Sequence, residues 1–333
     1  MTVELQILGA GSLGSLLGGL FSHSGTDVRL VGREPHVTRI RDDGLRITGE
    51  YDMTSYPEAA TSPAEAEVTV VTVKSYDTQE AARSVEGLQE VVVSLQNGMG
   101  NEETLERVCS NSEVLAGTAT YGARIEEPGV VRCTGRGEIE IGDPEGGESD
   151  AAKEFAGTVS DGEVEVDLRD DMPERLWSKT AVNAGINPVT AITRLTNGEA
   201  VDDPELRRTI EEAAKEVEDV ASEHGVSIDS AAERAVDVAR STADNESSML
   251  QDIKAERRTE IDSINRYVVR KADEEDVSSG LNRRLAALVR GIEKSYLTDT
   301  ESEYLTGDGY GNKNENNNES EKESENQKDE VVE

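Results

Sequence analysis

The stretch "ILGAGSLGS" sets Gly9, Gly11 and Gly14 in the order G-x-G-x-x-G directly behind the apolar run "VELQIL". Such a loop lets the chain turn tightly, lets a pyrophosphate approach the backbone, and aims the N-terminus of the next helix at the phosphates. Alone the pattern is generic. Between a strand and a helix, at the start of a domain, it predicts dinucleotide binding rather than an ornamental turn, with Gly9, Ala10, Gly11, Ser12, Leu13 and Gly14 as candidate cofactor residues. Two cations stand where neighbouring strands should end, Arg33 after "DVRLV" and Lys74 in "VTVKSYDT". A site preferring NAD usually closes its second strand with Asp or Glu, which accepts from the ribose 2′-hydroxyl. Two cations could instead grip a 2′-phosphate, so NADPH is the expected cofactor. Glu34, directly after Arg33, keeps NADH open, and two solvated surface charges are the plain alternative.

A second constellation lies far along the chain. "LWSKTAVNAGINPVTAITRLTNGEA" spaces Lys179, Asn183 and Asn187 four residues apart, so they share one helix face amid Trp177, Val182, Ile186 and Val189. Each also has a structural use of its own. Lys179 could snorkel to solvent, Asn183 could bond backbone, and Asn187 before Pro188 could end the helix. Three together on one stripe suggest a ligand facing them. Asn97, in "QNGMG", follows the strand-like "EVVVSL" and falls at the carboxyl edge where open α/β sheets bind ligands, although Asn-Gly is also an ordinary turn. The stretch "SSMLQDIKAERRTEIDSIN" adds hydroxyls and carboxylates. Ser248 and Gln251 fit a capping box. In one straight helix Ser248 and Glu260 would lie about 18 Å apart, too far for one small ligand. If both touch it, the chain must fold back between them, with Asp252 as the expected N-cap of the following helix.

The elements that must carry these residues fall into two textures and a tail. Up to about Leu168, "VELQIL", "DVRLV", "EVTVVTV", "EVVVSL" and "EVLAGTATY" alternate with helical or loop segments, the signature of a parallel α/β sheet. The later "GVVRCTGRGEIEIGD" reads as a hairpin. From about Asp170 to Leu297 apolar residues recur at helical spacing, as in "ELRRTIEEAAKEVEDVASEHG", a helix stopped by Gly225. After Leu297 the chain has almost nothing to bury, so a disordered tail is expected.

Composition bounds the function. With 70 Asp+Glu against 34 Lys+Arg, the 333-residue chain carries a formal net charge of -36, which excludes broad binding to nucleic acid or anionic membranes. A carboxylate-coated surface with few aromatics is what an enzyme from a very salty cytoplasm would present. Cys109 and Cys133 make neither a disulfide framework nor a metal cluster. No apolar run is long enough to span a bilayer and no charged leader precedes the first strand, so the expected compartment is the cytoplasm.

Together, "GAGSLGS", "VKSYDT", "LQNGMG", "LWSKTAVNAGINPVTAI" and "SSMLQDIKAERRTEIDSINRYVV" resemble the ketopantoate reductase family, over Met1 to about Leu297. The glycine motif is generic; the Lys-Asn-Asn stripe with the serine and "TEID" segment is specific. The resemblance implies NADPH-dependent reduction of 2-dehydropantoate to (R)-pantoate, on the route to pantothenate and coenzyme A. It implies Lys179 as general acid and Asn183, Asn187, Asn197 and Ser248 as substrate ligands, with Asn97 between substrate and cofactor. Glu260 would hold the substrate hydroxyl or the nicotinamide ribose, and Ala123 in "YGAR" would line the cofactor cleft. The implied fold is a Rossmann-type α/β domain over 1–168 and an all-α domain of the phosphogluconate-dehydrogenase-like type over 169–297, the active site between them, then an acidic tail over 298–333. The residue types suit the chemistry: hydride delivery to a ketone builds negative charge on oxygen, which an ammonium stabilises and protonates. The implied partner is a small keto acid, with no nucleic acid or membrane, and a homodimer is left open. Two rivals stand beside this reading: a dehydrogenase of the same architecture acting on another branched keto or hydroxy acid, and a non-catalytic NADPH-binding regulator.

Overall fold

The computed structural model describes residues 3–159, 162 and 164–298. The expected tail thus lies outside the described residues except for Thr298. In chain order the first half runs β1 (Val3–Leu8), α1 (Ser12–His23), β2 (Val28–Val31), α2 (His36–Asp43), β3 (Leu45–Gly49), β4 (Met53–Ser55) and β5 (Glu58–Ala60). It continues through β6 (Ala66–Val71), α3 (Thr78–Val85), β7 (Val91–Ser94), α4 (Asn101–Val108), β8 (Glu113–Ala119), β9 (Gly122–Glu127) and β10 (Val130–Gly135). β11 (Ile139–Gly142), α5 (Asp150–Val159) and β12 (Val166–Leu168) complete it.

Valine, isoleucine and leucine are the main apolar residues of β1, β2, β6 and β7, β8 adds smaller ones, and most of these side chains are buried on both faces, as parallel strands require. The main sheet has the order β12-β11-β8-β7-β6-β1-β2-β5 and is parallel except where β8 meets β11. From β1 the chain winds outward through β2 to β5, then returns to β6 on the other side. The switch point therefore lies beyond the carboxyl ends of β1 and β6, where a doubly wound sheet opens a crevice. A second sheet, β4-β3-β10-β9, packs across α1.

That second sheet corrects the hairpin expected over Gly129–Asp143. β10 pairs antiparallel with β9, across the turn at Pro128 and Gly129, where Gly129 has φ +80°. β11 instead pairs with β8, Ile139 opposite Ala119. The two strands serve different layers: Ile139 and Ile141 are fully buried in the main sheet, whereas β10 inserts Val131 and Cys133 between the second sheet and α1. The hairpin signal was the Pro-Gly pair one strand earlier.

The second half is helical: α6 (Met172–Thr193), α7 (Asn197–Asp202), α8 (Pro204–Glu223), α9 (Ala231–Ser241), α10 (Ser248–Lys254), α11 (Asn265–Glu274) and α12 (Gly280–Glu293). α6 is its axis and packs against α8, α9, α10 and α12. Pro188 does not end it. A proline there leaves the carbonyl four residues earlier, Ala184, without its helical donor. The fully buried Asn265 supplies one, Nδ2 to Ala184 O at 3.0 Å, and also donates to Asn282 Oδ1 at 2.8 Å. A side chain from α11 thereby lets α6 run unbroken past Asn187.

Candidate active site

At the switch point β1 turns into α1. Gly9 has φ +116°, and a Cβ on Gly14 would stand 2.2 Å from the Gly9 carbonyl oxygen, so both positions require glycine. α1 has no side-chain cap and no acidic residue in its first turn. Its first intrahelical bond runs from Ser15 N to Gly11 O at 2.9 Å, and the amides of Ser12, Leu13 and Gly14 find no acceptor among the described residues. Unneutralised N–H groups at the positive end of a helix, opposite a glycine cradle, fit a pyrophosphate. Ala10 N donates to Val31 O at 2.8 Å, while Leu13 packs into the core behind. β9 is tied to this loop by Ile125 N to Ser12 Oγ at 3.3 Å, which brings Ala123, two residues away, to its rim.

Beyond β2, the Arg33 side chain is 91% exposed and its guanidinium is 3.6 Å from Asp77, the residue before α3. Glu34 turns away. Its carboxylate caps α2 through the backbone N–H, 3.0 Å away, and the hydroxyl of Thr38. The acid that kept a 2′-hydroxyl site open is thus engaged in a helix terminus.

Lys74 departs from expectation. It does not stand with Arg33; its Nζ lies 2.7 Å from Asp252 Oδ2 and 3.2 Å from Glu260 Oε2, both from the helical half. Burial alone would lower its pKa, but the carboxylates of Glu260 and Asp252 outweigh it and the ammonium is held firmly protonated. Glu260, 5% exposed, also accepts from the Ser75 amide at 3.1 Å. Ser75 Oγ meets Ser263 Oγ at 2.6 Å, and Met99 N donates to Ser263 O at 2.9 Å.

Asp252 is therefore not an N-cap. It lies inside α10, which Ser247 caps by accepting from Leu250 N at 3.1 Å; Ser248 is the first helical residue and is exposed. The break between Ser248 and Glu260 does exist, but it comes after Lys254, where the chain turns through Glu256 at φ +52°. Ser247 Oγ also meets Thr190 Oγ1 at 2.7 Å, which docks the start of α10 on α6 one turn past Asn187.

Facing this side is the α6 stripe. The Lys179 Nζ has one long contact, 3.4 Å to the Ala119 carbonyl at the end of β8. Burial pushes its pKa down to about 8, against the opposing pull of Glu260, Glu102 and Glu140. The side chains of Asn183, Asn187 and Asn97 make no hydrogen bond to any described residue. Asn187 is only 6% exposed, and its amide, which no described protein group satisfies, is left to water or a ligand. Asn197 stands at the start of α7, its amide donating to Thr242 Oγ1 at 2.9 Å and its buried Oδ1 unpaired. Its backbone N bonds Asn245 O at 3.0 Å, beside the chain leading to Ser248.

Sequence reasoning gave no ligand-side role to Asp252, Ser75, Ser263 or Glu102. Glu102 heads α4, is 6% exposed, and burial raises its pKa to about 7. The one signal for Ser75 and Ser263 was adjacency, since each follows a charged motif, "VK" and "TEID". Asp252 imitated a cap.

The chain matches two family models, one described as ketopantoate reductase PanE/ApbA over residues 5–146 and one as its C-terminal part over residues 171–293. A curated 2-dehydropantoate 2-reductase of Halobacterium salinarum is 42% identical over 298 residues, covering 86% of this chain and 98% of that protein. Among solved structures, a PanE/ApbA family ketopantoate reductase from Ralstonia eutropha JMP134 superposes with TM-score 0.82 at 31% identity, covering 88% of this chain and 99% of that one. A D-mandelate dehydrogenase with NADH and anilino(oxo)acetate gives TM-score 0.80 at 25% identity, over 88% of this chain and 99% of that one.

Proposed function

This chain belongs to the ketopantoate reductase family and is an oxidoreductase of the 2-dehydropantoate 2-reductase type, and from that premise we propose that it reduces ketopantoate to (R)-pantoate with NADPH, on the route to pantothenate and coenzyme A. The observation that carries the mechanism is the Lys179 ammonium: desolvated, without a carboxylate in hydrogen-bond reach, and on one stripe with two amides that lack protein partners.

A bound dihydronicotinamide supplies the hydride that reaches the keto carbon. The amides of Ser12, Leu13 and Gly14 would hold its pyrophosphate, Arg33 its 2′-phosphate, and Ala123 and Asn97 its nicotinamide half. As charge builds on the keto oxygen, Lys179 stabilises it and donates its proton. A free lysine titrates near about 10.4. Lowering it to about 8 brings the donor close to working pH, where proton transfer is most effective. Asn183 and Asn187 can donate to the substrate carboxylate and accept from its hydroxyl without adding charge, with Ser248 and Asn197 at the flank. Glu260 accepts a hydroxyl of substrate or ribose. Arg33 together with the engaged Glu34 favours NADPH over NADH.

The test is turnover by the purified chain in molar salt, followed by loss of nicotinamide absorbance, with ketopantoate or an aromatic 2-keto acid and with NADPH or NADH. Ketopantoate with NADPH should give the highest kcat/KM. A higher kcat/KM for the aromatic acid would overturn the substrate, and one for NADH the cofactor.

A further inference from the structure

We propose that Asp252 is a positioning residue, which takes the larger share of the Lys74 ammonium and so leaves Glu260 Oε2 only loosely held by it and able to accept from a hydroxyl in the cleft. This rests on the proposed function, in which Glu260 receives that hydroxyl.

The geometry is a shared cation. Lys74 Nζ is closer to Asp252 Oδ2, 2.7 Å, than to Glu260 Oε2, 3.2 Å. The Asp252 side chain is 3% exposed and its other oxygen, Oδ1, accepts from Arg257 Nη2 at 3.0 Å and Nε at 3.2 Å. Both carboxylates are buried and cannot go without a cation, yet the guanidinium of Arg257 is 61% exposed and too well hydrated to serve alone. Lys74 must therefore be divided. Without the Asp252 charge, the whole ammonium would pass to Glu260 and tighten onto Oε2, which it already reaches at 3.2 Å, while Oε1 stays on the Ser75 amide. Asp252 is in turn rooted to the α6 stripe, because the cap of α10, Ser247, is bonded to Thr190 of α6. The side chain thus relates Lys74, on the Rossmann side of the cleft, to Glu260 and to the α6 stripe on the helical side.

The test is a double-mutant cycle on the full chain with Asp252→Asn, Lys74→Met and both together, with Arg257→Gln as the control for the local role of Asp252. Asp252→Asn should raise KM for the keto acid about tenfold while lowering kcat less, and in the Lys74→Met background it should cost nothing more. Hydrogen exchange gives a readout without turnover: the Ser75 and Met99 amides, which donate to Glu260 and Ser263, should exchange about tenfold faster in Lys74→Met, where Glu260 loses its cation, and no faster than in the wild type in Asp252→Asn, where it gains the whole of it. Arg257→Gln should leave both readouts at the wild-type value. Additive losses in the cycle, or an Arg257→Gln variant that reproduces the defect, would make Asp252 a local structural residue and overturn the proposal. If Asp252→Asn does not fold, unchanged Ser75 exchange in Lys74→Met overturns it by itself. Wild-type turnover of a different keto acid would sink the substrate assignment alone, since the cycle and the exchange can be read with that acid.

Discussion

Lys74, on the Rossmann side of the cleft, has carboxylate oxygens at 2.7 and 3.2 Å, whereas Lys179, on the helical side, has only a carbonyl oxygen at 3.4 Å. Both ammonium groups are desolvated, which disfavours the charged form. Two buried counter-ions reverse that effect at Lys74. At Lys179 the nearest carboxylates act only from a distance, and the group titrates near 8. One lysine is therefore a fixed charge that joins two domains, and the other is an ammonium that can release its proton near neutral pH, as the proposed reduction requires. The difference is made by what each side chain meets, since the residue type is the same.

The comparison breaks most sharply at Lys179. Lys179→Ala should lower kcat by roughly a hundredfold or more with NADPH affinity kept, because proton donor and charge stabilisation go together. Steady-state kinetics on the folded variant, with NADPH binding by fluorescence, decides it; near-wild-type kcat would remove the mechanism. The pH profile sharpens the same point. Reduction needs the protonated lysine, so kcat/KM should be level below pH 8 and fall about tenfold per unit above it. A decline beginning near pH 10 would mean that Lys179 is as well solvated as a surface lysine.

Arg33 tests whether the Rossmann side reads the 2′-phosphate without Lys74. Arg33→Ala should weaken NADPH binding by about tenfold and leave NADH nearly unchanged, the size expected of one charge-assisted hydrogen bond. Equal losses measured by calorimetry would remove Arg33 from that role. The smallest effect is on stability. An unfolded lysine titrates near about 10.4 and the folded Lys179 near 8, so between these the unfolded chain holds the extra proton and folding gains stability as pH rises. Below pH 8 the buried charge is a full cost. Lys179→Met should therefore raise the melting temperature by a few degrees at pH 7, and the gain should vanish towards pH 10.5.

Much of this molecule is local in sequence. The strand, glycine loop and helix of the cofactor half span residues 3–23, and the Lys179, Asn183 and Asn187 stripe needs only the helical repeat. A period of hydrophobicity and a spacing of glycines are enough to read such features, because the backbone forces that create them act over a few residues. The partners of Lys74 lie 178 and 186 positions away, and nothing near "VKSYDT" specifies them. The uninterrupted course of α6 through Pro188 depends on Asn265, 81 positions from the carbonyl that it satisfies. β10 and β11 likewise joined different sheets because each found its core elsewhere. The sequence by itself determined the element types, the glycine loop and the polar stripe. Only the tertiary structure decided which lysine is neutralised and which can release its proton, because a buried charge is governed by the few groups within hydrogen-bond reach, and distant segments bring those groups.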